Sequence, residues 1–203
     1  MSDHAAAIRG LPRWHPNPVI RSTIETIRRC GWQVTSVGEG TVDSSAGAEA
    51  GSAECGHSYT AGLSLHSIPE LAIYGLDATL ARRVLDELGE LLHREDWRGL
   101  VAGGVPVRLR SIPVPVRLIE QVDKDELVLA NLLFPDYPTL QVVWPDDHGR
   151  YPWDADYVLL PMHQPVKGFP DLAAHAGRQA HVVTVESGPE RCRPRRGRRI
   201  TGH

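Results

Sequence analysis

His57-Ser58-Tyr59-Thr60-Ala61-Gly62-Leu63-Ser64-Leu65-His66-Ser67-Ile68-Pro69-Glu70-Leu71-Ala72-Ile73-Tyr74-Gly75-Leu76 is the stretch whose reading decides the fold. Tyr59, Ala61, Leu63 and Leu65 alternate with Thr60, Gly62 and Ser64, the period of a strand with one buried face. Leu71 to Leu76 is a nearly continuous apolar run, the pattern of a strand covered on both faces. His66 and Ser67 fall in a polar turn between the two runs, which predicts a pair of short strands. Gly62 and Gly75 interrupt these runs, where a strand bulges or where backbone or ligand comes close.

Working outward, Asp77 caps a helix running to about His93, with Leu80, Val84, Leu88 and Leu91 on its apolar stripe. Upstream, Asn17 and Pro18 make a good helix start, Ile20, Ile24 and Ile27 keep helical spacing, and Gly31 is the stop. Trp32 to Val37 alternates as a first strand. Downstream come two valine-rich runs, 105–112 and 114–122, whose prolines 106, 113 and 115 place them at strand ends or edges. Asp123 to Glu126 has capping-box spacing and predicts a short helix to about Phe134. Thr139 to Trp144 reads as a buried strand, and Tyr151 to Trp153 as the returning edge of a hairpin over 141–153. Residues 157–178 read as irregular, and 181–186 as a late strand. Segregated helices without strict strand–helix alternation predict an α+β fold: a mainly antiparallel sheet with two or three flanking helices. The sequence leaves open whether that sheet curls into a small barrel.

A chain of 203 residues suits one domain with appendages. The reading is an irregular leader at 1–16, a single α+β domain at 17–186 and a disordered arginine-rich tail at 187–203. Within the domain, 38–56 is Gly, Ala, Ser and Glu with almost no large apolar side chain, which predicts a flexible insertion. The net charge of −3 conceals a split: six arginines and no acid lie in 191–199, and without them the body carries −9. An acidic body does not suit a nucleic-acid-binding fold. The tail Arg191–Arg199 could contact polyanions non-specifically, or it could be a solvated end. No apolar run approaches the ~20 residues of a membrane span, and the first residues lack a signal-peptide core. A cytoplasmic location is the expectation. Cys30, Cys55 and Cys192 are odd in number and scattered, so reduced thiols are expected.

Standard catalytic signatures are absent: no nucleophile elbow, P-loop, dinucleotide fingerprint or zinc-protease helix. The ten histidines are spread without metal-ligand spacing, and Cys55-Gly56-His57 alone makes no site, so no metal is expected. His66 and Glu70 could meet around the turn, with Glu70 orienting the imidazole. The alternative is a turn histidine and a carboxylate that caps backbone amides. Gln141 to Trp153 gathers Trp144, Trp153, Asp146, Asp147, His148 and Arg150 across a tight turn. It is either a hairpin whose aspartates satisfy turn amides or one wall of a pocket.

Tyr59-Thr60-x-Gly62-Leu63, Pro69-Glu70-Leu71, Gly75-Leu76 and Leu140-Gln141-x-x-Trp144-Pro145-Asp146-x-x-Gly149-x-x-Pro152-Trp153 resemble the uncharacterised bacterial family called domain of unknown function 4262. The resemblance runs over roughly residues 20–155 and includes Gly31-Trp32. It implies a single domain and brings no established activity. The chain departs from the family pattern in the 38–56 insertion, in the arginine tail, and in Ile68, where a histidine often precedes the Pro-Glu pair. That last departure weakens any role resting on such a histidine. The order of elements also resembles flavin-reductase-like split barrels, which makes flavin a cofactor by architectural analogy only.

Two functions follow. One is a small-molecule or cofactor site between the 59–76 strand pair and the 141–153 hairpin, with Tyr59, Thr60, Gly62, His66, Glu70, Gln141, Trp144, Asp146, Asp147 and Trp153 as candidate pocket residues. The other is a non-catalytic protein-interaction module with the arginine tail as a polyanion anchor. Whether the domain is an enzyme, and its oligomeric state, are not encoded in any motif.

Overall fold

The computed structural model describes residues 4–38, 55–170 and 183–184. Most of the 38–56 insertion lies outside the described residues, as do the 187–203 tail, Cys192 and Arg191–Arg199. The leader is not wholly irregular: α1 (His4–Ala7) and a 3-10 turn (Ile8–Gly10) occupy it. Helix α2 (Pro18–Cys30) starts as its sequence requires. The Asn17 side-chain oxygen accepts from the N–H of Val19 at 2.9 Å and Ile20 at 3.4 Å, and Gly31 ends the helix at φ +99°.

Strand β1 (Gln33–Val37) pairs antiparallel with β2 (His57–Ala61), and β2 pairs antiparallel with β3 (Glu70–Tyr74). Asp77 caps α3 (Ala78–Leu92) by accepting from Thr79 and Leu80 N–H, each at 3.0 Å. Then follow α4 (Trp97–Ala102), β4 (Val107–Arg108), β5 (Arg117–Glu120), α5 (Val128–Leu133) and β6 (Thr139–Val143). The main sheet is open, in the order β1-β2-β3-β6-β5. Within it only β3 and β6 are parallel, with Glu70 opposite Thr139, and the long crossover between them carries α3, α4, β4, β5 and α5. A small second sheet joins β4 to β7 (Val183–Thr184). The fold is therefore α+β with a mostly antiparallel sheet, as its pattern predicts.

Three local expectations change. The alternation at Leu63 and Leu65 is not strand: β2 stops at Ala61, and Leu63–His66 is a 3-10 turn that still buries Leu63. The 141–153 segment is no hairpin, because β6 has β3 and β5 as its neighbours and the chain leaves the sheet after Val143. Pro145 and Pro152 lack the N–H a returning strand would donate. Finally, α5 begins at Val128 rather than Asp123, whose carboxylate instead accepts from Asp125 N–H.

Both faces of the sheet are covered. On one, Val34, Leu71, Ile73, Leu140 and Leu118 meet Val84, Leu85, Leu88 and Leu100 of α3 and α4. On the other, Tyr59, Ala61, Ala72 and Tyr74 lie under Ile27, Leu127 and Ala130. The central strands β3 and β6 are buried along their whole length, as two-sided cover requires. Each fully buried leucine here stabilises the fold by about 1.5–3 kcal/mol. Cys30 is disulfide-bonded, which corrects the reading of all three cysteines as reduced, while Cys55 is a free thiol. Among the described residues no helix is long and apolar enough to cross a membrane.

Candidate functional site

The buried Glu70 is an amide- and hydroxyl-capping carboxylate. Its Oε1 accepts from Gly62 N–H at 2.8 Å, Ser64 N–H at 3.0 Å and Ser64 Oγ at 2.7 Å, and its Oε2 accepts from Thr60 Oγ1 at 2.7 Å. Thr60 Oγ1 in turn accepts from Leu71 N–H at 2.8 Å. The β2–β3 connection is thus tied to the first residue of β3. Gly62, at φ +121°, sits so close to Gly31 O and Trp32 Cα that no side chain fits. The capping alternative for Glu70 is the one observed, and it holds the turn.

What this turn presents is a cleft. The 3-10 turn closes on Ser67 in the left-handed region at φ +61°, the only non-glycine residue with positive φ among the described residues. Such backbone persists only where its surroundings enforce it, and it clusters at functional sites. Here Pro69 follows, Ser67 N–H donates to Ser64 O and Ile68 N–H donates to Leu63 O. Ser67, His66, His93, Trp97 and Arg98 line a cleft of about 260 Å³, with Ile68 and Leu92 at its apolar floor and Glu95 and Asp96 at its rim.

Histidines dominate that end of the fold. The rings of His4 and His66 stack at 5.4 Å, those of His66 and His93 meet at 5.1 Å, and Trp32 contacts His93 at 5.6 Å. His93 Nδ1 lies 2.7 Å from Gly89 O on α3. A carbonyl only accepts, so this contact places a proton on Nδ1. His4 Nε2 likewise faces Arg28 O at 3.0 Å. The Arg98 guanidinium lies 4.4 Å above the Trp97 ring. Among the described residues no group of three His, Cys, Asp or Glu side chains converges as metal ligands.

The other sequence-derived candidates make their contacts at separate places in the fold. Asp146 lies beyond the C-terminal end of β6, whereas Glu70 is opposite Thr139 at its start. At about 3.3 Å per residue, β6 alone separates them by ~13 Å before the chain reaches Asp146. Asp146 organises its own turn: Oδ1 accepts from His148 and Arg150 N–H at 2.9 Å each, Oδ2 accepts from Val158 N–H at 3.3 Å, and the Arg150 guanidinium is 3.3 Å away. Burial opposes the charged form, but these N–H donors and Arg150 outweigh it and hold the carboxyl below the ordinary carboxylate range. Trp144 donates Nε1 to Tyr74 O at 3.0 Å, Trp153 stacks on Tyr151 at 5.3 Å, and Asp147 is exposed. Buried Gln141 spans Pro165 O and Lys167 N–H, both at 2.7 Å, so it fastens the 164–168 segment rather than a ligand. Tyr59, buried beneath α5, accepts from Leu129 N–H at 3.2 Å, and burial raises its phenol above the ordinary value.

Of the ten candidates, His66 alone lines the described cleft, while Thr60, Gly62 and Glu70 build the turn that carries it. His93, Trp97 and Arg98 escaped the sequence reading because α3 separates them from the turn, and Ser67 was read there only as a turn residue. The one local signal was Ser67 ahead of Ile68-Pro69.

The family model described as Domain of unknown function (DUF4262) matches residues 26–158, more than half of the chain. No curated protein and no solved structure matches.

Proposed function

The chain belongs to the family of domain of unknown function 4262, and we propose that it is a small-molecule-binding domain whose site is the cleft at His66, Ser67, His93, Trp97 and Arg98. One observation carries this reading: the strained Ser67 backbone stands at the wall of a concavity that also collects two imidazoles, a guanidinium and an indole. A packed turn has no need of that combination, and pockets use it: apolar walls with a few convergent polar groups. Glu70 and Thr60 belong to the proposal as the residues that fix the wall. The candidates beyond the C-terminal end of β6, Trp144, Asp146, Asp147 and Trp153, belong to it only as scaffold.

Thermal-shift screening against a metabolite panel tests the proposal. Stabilising compounds should lose their effect on His93→Ala and Arg98→Ala. Compounds that stay effective on both variants yet fail on Asp147→Ala would move the site to the 144–153 segment and overturn it.

Exposed Val158, Leu160, Met162 and Phe169 favour the second reading, a protein-interaction module. Polyanion contact through Arg191–Arg199 stands as a proposal about residues outside the described ones. A cytoplasmic location is likewise proposed, and the Cys30 disulfide is the observation against it.

A further inference from the structure

A second concavity, of about 450 Å³, adjoins the first and shares Trp97 and Arg98 with it. Its character differs. Val101 and Ala102 of α4 line it together with Leu118, Ile119 and Glu120 of the edge strand β5 and the exposed Phe169. Trp97 is the partition, and its indole Nε1 is buried with no hydrogen-bond partner among the described residues. A polar chamber carrying both signs of charge thus opens beside a trough that is apolar apart from Glu120 and the shared Arg98.

We infer that the joined clefts take a zwitterionic small molecule with an apolar side chain, the class of the apolar α-amino acids. The inference rests on the first cleft being a ligand site. The polar chamber offers the Arg98 guanidinium to a carboxylate, and Glu95 and Asp96 to an ammonium. An anion alone would face two carboxylates, and a cation alone would face the guanidinium. A zwitterion matches both signs, and its side chain reaches the trough across Trp97.

The edge strand excludes a longer occupant. Gln121 N–H donates to Thr139 O, so the alternation of antiparallel pairing turns the N–H and C=O of Leu118 and Glu120 away from β6. That edge is bridged at one end by Val107 with Val116 and at the other by Gln121 with Gly168. Among the described residues the window between them is β5 itself, too short for an added peptide strand but long enough for one amino acid.

Calorimetric titration of the full chain tests this with L-phenylalanine, glycine, 3-phenylpropanoate and 2-phenylethylamine. L-Phenylalanine should bind at least about tenfold more tightly than each of the other three, which lack the side chain, the ammonium or the carboxylate. Arg98 and Ala102 are exposed, so their variants should fold. Arg98→Ala should weaken the two carboxylate ligands bearing a phenyl group and spare 2-phenylethylamine. Ala102→Trp, which fills the trough, should remove the advantage of phenylalanine over glycine. Glycine binding as well as phenylalanine, or either one-charge analogue matching it, would overturn the inference while leaving the first cleft as a site. Failure of all four to bind would also overturn it, and the metabolite panel then judges the cleft alone. Phenylalanine binding indifferent to both variants would overturn both readings.

Discussion

Gln164 meets Trp144 as a strand residue would, but with its side chain. Trp144 N–H donates to Gln164 Oε1 at 2.9 Å, and Gln164 Nε2 donates back to Trp144 O at 2.8 Å. The same amide reaches Tyr157 Oη at 2.9 Å. With Gln141 at the next station, two glutamines hold the 157–168 segment against the sheet without a regular strand.

Gln164→Ala should therefore loosen that segment specifically. It removes three hydrogen bonds and leaves the Trp144 peptide groups unsatisfied, a cost of about 2–4 kcal/mol. Urea denaturation should read that loss, and limited proteolysis should show new cleavage between 154 and 163. Unchanged protection there would refute the clamp.

The Glu70 knot predicts a different pattern. In Glu70→Gln the amide NH2 must face one of the N–H or O–H donors that the carboxylate now accepts, so destabilisation of about 2–4 kcal/mol is expected. Thr60→Val should cost a similar amount, because the hydroxyl both donates to Glu70 and accepts from Leu71 N–H. Being members of one network, the two should be less than additive in the double variant, and a double-mutant cycle measures this.

Much of the architecture was legible because its cause is local. Asn17, Gly31 and Asp77 set helix ends through bonds to residues two to four positions away, and Pro18 through its fixed φ. The apolar run at 71–74 announced a strand covered twice. What failed was non-local. Leu63 and Leu65 alternate equally well on a strand or around a 3-10 turn, and the Glu70 carboxylate decides for the turn by taking the Gly62 and Ser64 N–H groups. The parallel join of β3 to β6 spans a crossover of more than 60 residues, and no period in the sequence encodes it. The cleft was hidden for the same reason, since His66 and His93 meet only after α3 has folded back.

Gly75 offers a comparison within one backbone class. It has φ +78°, and a Cβ there would lie 1.9 Å from the His163 carbonyl oxygen. Gly149 has φ +79° with nothing within 4 Å. Gly149→Ala should cost only the left-handed penalty, about 1–2 kcal/mol. Gly75→Ala adds a backbone collision and should cost about 1–3 kcal/mol more, lowering the melting midpoint by several further degrees. Equal midpoints in the two variants would show that the 157–168 segment yields freely.

The pH dependence of stability should follow from three carboxylates of opposite behaviour. Asp146 and Glu87 both titrate below their ordinary values. For Glu87, burial raises the carboxyl, but donation from Arg110 and Ser111 N–H more than offsets it. A depressed carboxyl means that the unfolded chain binds its proton first as pH falls. Its stabilisation is then fully present above the unfolded value, near pH 4, and is lost as pH drops through the lower folded value. Asp86 runs the other way: burial raises it despite the Trp32 Nε1 donor at 3.0 Å and nearby Arg82. Its charged form is disfavoured in the fold, so it subtracts stability as pH rises from the unfolded value through the raised folded one. Urea midpoints measured from pH 3 to 7 should fall steeply at the acid end in the wild type. Asp146→Asn and Glu87→Gln should be less stable at neutral pH and show a shallower acid decline. Asp86→Asn should keep the steep acid decline but lose the opposing slope above it. An Asp146→Asn curve parallel to wild type across that range would mean that the turn does not distinguish the charged carboxylate from its amide.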